Sequence, residues 1–183
     1  MPTSSWHIQQ AARCISQGGV IAYPTEAVWG LGCDPTNDAA IERILTLKDR
    51  PAHKGLVVVA ADLSQLSGWL LPLEQTVLDQ IHATWPGPVS WVLPCQPEVS
   101  PLLRGEHHSL AVRISDHPLV QALCQVVGPL VSTSANPAGK EPARTSLKVR
   151  QYFHHQLDAI VPGTLGGNAQ PSEIRTLDGQ RLR

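Results

Sequence analysis

At 183 residues and 42% apolar content, the chain has the length and hydrophobicity of one folded domain, which excludes a disordered segment. Fourteen basic against fifteen acidic residues leave a formal charge of −1, so the totals point away from a strongly polyanionic partner. No apolar run nears membrane-spanning length, the start (Met-Pro-Thr-Ser-Ser-Trp-His) has no signal-peptide core, and Cys14, Cys33, Cys95 and Cys124 lack zinc or disulfide spacing, which predicts a cytoplasmic protein with reduced thiols and no membrane contact.

Ser5 caps a predicted helix with Ile8, Ala11, Ala12 and Ile15 on one face, closed by Gly18-Gly19. Val20 to Tyr23 reads as a buried strand that Pro24 ends, leaving Thr25 and Glu26 at its carboxyl end. Gly30 and Gly32 then suit a tight turn or a close approach to a ligand. Asn37 or Asp38 caps a helix through Ile41, Ile44, Leu45 and Lys48, which Pro51 stops just after Arg50. With residues 55–61 as the next strand, this stretch forms a strand–helix–strand unit. A short helical segment over 63–70 and a helix opening at Pro72 follow, and Trp85-Pro-Gly-Pro88 breaks the latter.

Residues 89–93 are a strand, 94–108 a loop, and 109–114 a strand with Arg113 between Val112 and Ile114. Asp116 caps a helix through Val127, and Gly128-Pro129 ends it. Residues 129–133 form a strand, Ser134–Gly139 a turn, and Thr145 or Ser146 caps a helix to about His154. Residues 159–161 are a short strand, 162–171 a glycine-rich loop, and 174–176 with 181–183 a hairpin around Asp178-Gly179. The sum is an α/β fold, one domain over 1–183, with a single twisted, open, mixed sheet.

The third glycine of a dinucleotide fingerprint is missing after Gly30-x-Gly32, because Pro35 holds its place, and no P-loop pattern occurs. His107-His108 and His154-His155 lack ligand spacing, so no metal site is expected. Lys48 and Arg50 either complement the helix dipole or bind an anion. Arg113 in an apolar strand needs an anion, either a carboxylate such as Asp116 or that of a ligand held bidentately. Ser132, Thr133, Ser134 and Asn136 put four hydrogen-bonding side chains at one strand exit, more than a turn requires. Together these residues suit the positioning of anionic substrates, with catalysis by electrostatics and proximity.

Five ordered blocks then carry a resemblance: residues 23–32 (YPTEAVWGLG), 47–51 (LKDRP), 109–119 (SLAVRISDHPL), 131–136 (VSTSAN) and 171–175 (PSEIR). Along nearly its whole length the chain resembles the YrdC-like family, in its short bacterial branch. It departs from many relatives at Ala27-Val28-Trp29, Lys54-Gly55, Val59 and residues 138–142. The resemblance implies a large cation-lined cavity and a nucleotidyl transfer: ATP, L-threonine and bicarbonate give threonylcarbamoyl-adenylate and pyrophosphate, with Mg2+. It implies that TsaD, with TsaB and TsaE, then completes threonylcarbamoyladenosine beside the anticodon of tRNAs. By the same resemblance Lys48 and Arg50 are catalytic and hold ATP phosphates, while Ser109, Ser134, Asn136 and Lys54 position the nucleotide. Arg113 pairs the threonine carboxylate, and Thr25, Ser132 and Ser172 surround its amine and hydroxyl. A labile carbamate and a mixed anhydride need water kept out, so residues 137–145 or 163–168 are expected to cover the site.

Two rivals remain in view. A non-catalytic RNA-binding or ribosome-maturation module could use the same cavity, with weak binding of tRNA or double-stranded RNA. The pI near 6.7 and only three Phe and Tyr residues weigh against it. A paralogue making a different acyl-adenylate is the other.

Overall fold

The computed structural model describes residues 4–182. The predicted start at residues 1–3 and the last residue of the 181–183 strand lie outside the described residues. Ser5–Ser16 (α1) turns Ala11, Ala12 and Ile15 inward. Ile21–Pro24 (β1) and Trp29–Gly32 (β2) then pair antiparallel, with Ile21 opposite Gly32 and Pro24 opposite Trp29. Pro24 ends β1 as expected, while Gly30 and Gly32 lie in a strand and not in a tight turn. The reason is the buried Tyr23 ring. A Cβ on Gly32 would lie 2.7 Å from Tyr23 Cε1 and 2.7 Å from the Val131 carbonyl. Only glycine lets that ring lie across the neighbouring strand.

Asp38–Lys48 (α2) is capped by Asn37, whose Oδ1 accepts from the Ala40 N–H at 3.1 Å. Asp49 ends it in the left-handed region (φ 49°) and sends Arg50 away from the helix axis. After a 3-10 turn at Ala52–Lys54, Val57–Ala60 (β3) completes the expected strand–helix–strand order, with one strand lying between it and β2 in the sheet. A 3-10 turn at Leu63–Leu66 follows, and Gln75–His82 (α3) starts three residues after the expected Pro72. Val89–Pro94 (β4) and Ser109–Ile114 (β5) flank a stretch expected as loop, yet Pro101–Arg104 (α4) forms there with Ser100 as its cap. Pro118–Val127 (α5), Leu130–Ser134 (β6), Ser146–Phe153 (α6), Ala159–Ile160 (β7) and Glu173–Thr176 (β8) complete the chain. His117, not Asp116, occupies the cap position of α5.

The eight strands run β7-β1-β2-β6-β3-β5-β4-β8. The sheet is mixed: β1–β2, β2–β6, β6–β3 and β5–β4 are antiparallel, while β7–β1, β3–β5 and β4–β8 are parallel. One face carries α1 and α5 over Ile21, Tyr23, Val59 and Leu130. The other packs Ile41, Ile44, Leu103, Val149 and Phe153 against Ala22, Leu31, Val58 and Val112. Each such side chain with no exposure stabilises the fold by roughly 1.5–3 kcal/mol.

Candidate active site

The strand register builds the site. Ser132 lies opposite Val57, Val57 opposite Ala111, Ala111 opposite Val92, and Val92 opposite Thr176, giving one row across five strands. With a side-chain period of two, Val57 shares a face with Val59, under α5. Beyond Val57 neither α1 nor α5 covers this face. A cavity of about 420 Å3 opens there, walled by Thr25, Trp29, Arg50, Lys54, Arg104, Ser109, Arg113, Ser132, Ser134 and Ser172 among others.

Arg113 and Glu26 meet at its floor, with Arg113 Nη1 2.6 Å from Glu26 Oε1 and both side chains buried. The same Oε1 accepts a hydrogen bond from the Ser115 hydroxyl at 2.5 Å. Burial pushes the Glu26 carboxyl up, but the charge of Arg113 and bonds from Arg113 and Ser115 outweigh it. Its pKa therefore lies below the ordinary value. The anion that Arg113 requires is thus Glu26; Asp116 is exposed, so that expected pairing is corrected. Thr25, also buried, donates its hydroxyl to the Val28 carbonyl at 2.8 Å, which leaves its oxygen as an acceptor.

Eight of the ten residues expected at the site line this cavity: Thr25, Arg50, Lys54, Ser109, Arg113, Ser132, Ser134 and Ser172. Lys48 and Asn136 do not. Lys48 is buried, and its ammonium donates to the Asn136 carbonyl at 2.9 Å and to the Ser134 carbonyl. The Asn136 amide donates to the Lys140 carbonyl at 2.8 Å and the Pro137 carbonyl at 3.1 Å. Lys48 was expected to hold phosphates; here its ammonium ties two backbone carbonyls together. Lys48→Ala should cost about 2–4 kcal/mol, the scale of two charge-assisted bonds to buried carbonyls. Urea denaturation at pH 7 measures it, and a loss below about 1 kcal/mol would contradict this anchoring role.

Arg50 bends back so that Nε and Nη2 donate to the Gly55 carbonyl at 3.1 and 2.9 Å, and burial lowers its pKa. Sequence reasoning missed Glu26, Trp29 and Arg104 as wall residues. Arg104 was findable: Ser100-Pro101 is a cap followed by a first-turn proline, the signal of a helix start. Of the two expected covers, residues 163–168 are tied to the cavity wall through their backbone. Gly166 N–H donates to the Thr25 carbonyl at 3.0 Å and Asn168 N–H to the Glu26 carbonyl at 2.9 Å. Pro171 and Ser172 line the wall, whereas no residue of 163–168 or of 137–145 does.

Among the described residues Glu26 is the only carboxylate in the wall, and Arg113 and Ser115 already occupy it. Among the described residues no group of three His, Cys, Asp or Glu side chains could hold a metal ion. The donor set therefore does not fit a protein-held Mg2+. Burial pushes the Cys33 and Cys124 thiols up to about 12, far from nucleophilic range.

A family model for Sua5, YciO and YrdC, described as "Telomere recombination", matches residues 13–183. A relative from Pseudomonas aeruginosa strain UCBPP-PA14, named threonylcarbamoyl-AMP synthase, is 57% identical over 181 residues, covering 98% of each chain. Another of that name, from Nitrosococcus oceani, is 54% identical over 185 residues and 100% of each chain. The solved structure of P. abyssi Sua5 complexed with L-threonine superposes with a TM-score of 0.93 at 28% identity over 100% of this chain, which spans 55% of that protein. E. coli YciO superposes with a TM-score of 0.84 at 26% identity, over 98% of this chain and 91% of its own. With a family model over nearly all of its length and relatives more than half identical end to end, the chain belongs to the Sua5/YciO/YrdC family.

Proposed function

We propose that the chain makes L-threonylcarbamoyl-adenylate and pyrophosphate from ATP, L-threonine and bicarbonate, as the intermediate for threonylcarbamoyladenosine in tRNA. The observation that carries this reading is the floor of the cavity. A buried guanidinium, Arg113, stands beside the buried hydroxyls of Thr25 and Ser132 in a wall that also holds Arg50, Lys54 and Arg104. That is a carboxylate receptor joined to a phosphate receptor. The names of the full-length relatives and the threonine complex of P. abyssi Sua5 support it.

In this mechanism Arg113 holds the threonine carboxylate, while Thr25, Ser132 and Ser172 surround the amine and hydroxyl. The amine adds to bicarbonate-derived CO2 and loses a proton to give a carbamate. A carbamate oxygen then attacks the α-phosphorus, and the bond to pyrophosphate breaks with its electron pair leaving on the pyrophosphate. Arg50 and Lys54 stabilise the charge that builds on the phosphates, and Ser109 and Ser134 position the nucleotide. Lys48 and Asn136 act at one remove by fixing the rim around Ser134. Mg2+ enters with the nucleotide and not on a protein site, and no step is routed through it. TsaD, with TsaB and TsaE, consumes the product. The cytoplasm is the proposed location; no helix among the described residues is long and apolar enough to cross a membrane.

The test is pyrophosphate release from ATP by purified protein. It should require threonine and bicarbonate together and proceed without tRNA. Release that needs neither, or strict dependence on tRNA, would overturn the reading. Within the same assay Arg50→Ala should lower turnover by roughly two to three orders of magnitude, the scale of losing one preorganised charge donor. Its melting temperature should stay near that of the wild type, because Arg50 is half-buried at the rim and bonds only one carbonyl. Near-normal turnover would remove Arg50 from the phosphate clamp.

A further inference from the structure

Glu26 does more than neutralise a buried cation. An arginine side chain has several rotatable bonds, and one that reads a carboxylate bidentately must present one edge of a flat fork. In this cavity the fork is held from one side by charge: Arg113 Nη1 lies 2.6 Å from Glu26 Oε1, an ion pair and not a directed hydrogen bond, and Arg113 Nε makes no hydrogen bond either. Glu26 is itself held. Ser115 Oγ donates to Oε1 and accepts the His117 N–H at 3.1 Å, so the start of α5 sets the carboxylate's position. The Glu26 carbonyl takes the Asn168 N–H, and a Cβ on Gly166 would lie 3.0 Å from Glu26 Cα. The loop leading to Ser172 therefore packs on the same residue. One side chain and its own backbone thus reach two walls of the amino-acid pocket.

We infer that Glu26 is a positioning residue: it orients Arg113 for the α-carboxylate of the amino-acid substrate without touching the reacting atoms. The inference rests on the proposed function. Loss of the Glu26 charge frees the guanidinium to rotate, so binding of the amino acid weakens while nucleotide binding and chemistry do not change. A purely architectural role would behave differently. It would lower the folded fraction, and so the apparent kcat, with both KM values intact.

Glu26→Gln tests this, because it keeps the shape and one oxygen acceptor while removing the charge. The threonine KM, and the Kd from calorimetric titration of threonine without ATP, should rise roughly ten- to a hundredfold, the span for a charge-assisted bond. The ATP KM and kcat should stay within about twofold. Ser115→Ala, which removes the neutral donor on Oε1 together with the acceptor of the His117 N–H, should move the threonine Kd the same way by roughly threefold to tenfold. It keeps the inference testable if Glu26→Gln folds poorly. Equal threonine Kd in wild type and both variants would overturn the inference and leave the proposed function standing. A wild type that binds no threonine would overturn both.

Discussion

Arg113→Met is expected to lower threonine-dependent pyrophosphate release by about three orders of magnitude and to reverse the protein's response to acid. The activity loss follows from removing one member of a buried charge pair that, in the proposed mechanism, also receives the substrate carboxylate. Stability falls as well, by about 3–5 kcal/mol, because Glu26 is left buried and uncompensated. The acid response identifies the cause. In the wild type, burial raises the Glu26 pKa, but Arg113 and Ser115 bring it below its ordinary 4.5. The stability carried by this carboxylate is therefore present above about pH 4.5 and lost as pH falls through the lower folded value. Without the guanidinium, burial dominates and the folded pKa rises above the unfolded one. Stability is then present below about pH 4.5 and lost as pH rises. Urea midpoints between pH 4.5 and 7.5 should be nearly flat for this group in the wild type and climb toward acid in the variant. Parallel profiles would show that Glu26 and Arg113 are not coupled. Arg113→Lys keeps a charge but not the planar fork, so it should retain more stability than activity.

The same pair shows what the sequence could and could not reveal. Arg113 stood out because a lone cation between Val112 and Ile114 cannot be buried without an anion, and the strand over 109–114 formed as read. Its partner did not stand out. Asp116 was three residues away, whereas Glu26 is far off in the chain and reaches Arg113 only through a sheet order that no local pattern encodes. Gly32 failed for a related reason. It was read as a tight turn or an approach to a ligand, but here it makes room for the Tyr23 ring, a contact visible only after β1 and β2 pair. Lys48 sat where its helix required, yet a sequence shows neither burial nor the direction of an ammonium group. Elements with their own start and stop signals, such as α2 and α6, were legible because caps act over four residues. Contacts between residues far apart in the chain, such as Glu26 with Arg113 and Lys48 with the Asn136 carbonyl, were not.

The wall around Arg113 also predicts which amino acids are used. The Thr25 hydroxyl already donates to the Val28 carbonyl, so toward a ligand it can only accept. In the proposed mechanism threonine's hydroxyl supplies such a donor, with Ser132 and Ser172 of the same wall around it. 2-Aminobutyrate and valine have no hydroxyl and would leave buried oxygens without a partner, a mismatch that discriminates by about four orders of magnitude in kcat/KM. Serine keeps the hydroxyl and loses only a methyl, which costs roughly ten- to two-hundredfold. The expected order is therefore threonine, then serine as a poor substrate, then 2-aminobutyrate and valine near background. Pyrophosphate release at fixed ATP and bicarbonate across the four amino acids measures it. Thr25→Val removes the acceptor at nearly constant volume, and should narrow the gap between threonine and 2-aminobutyrate mainly by lowering the rate with threonine. Equal use of threonine and 2-aminobutyrate by the wild type would show that the hydroxyl is not read. The assignment of Thr25, Ser132 and Ser172 to the substrate hydroxyl would then fall, while that of Arg113 to its carboxylate would stand.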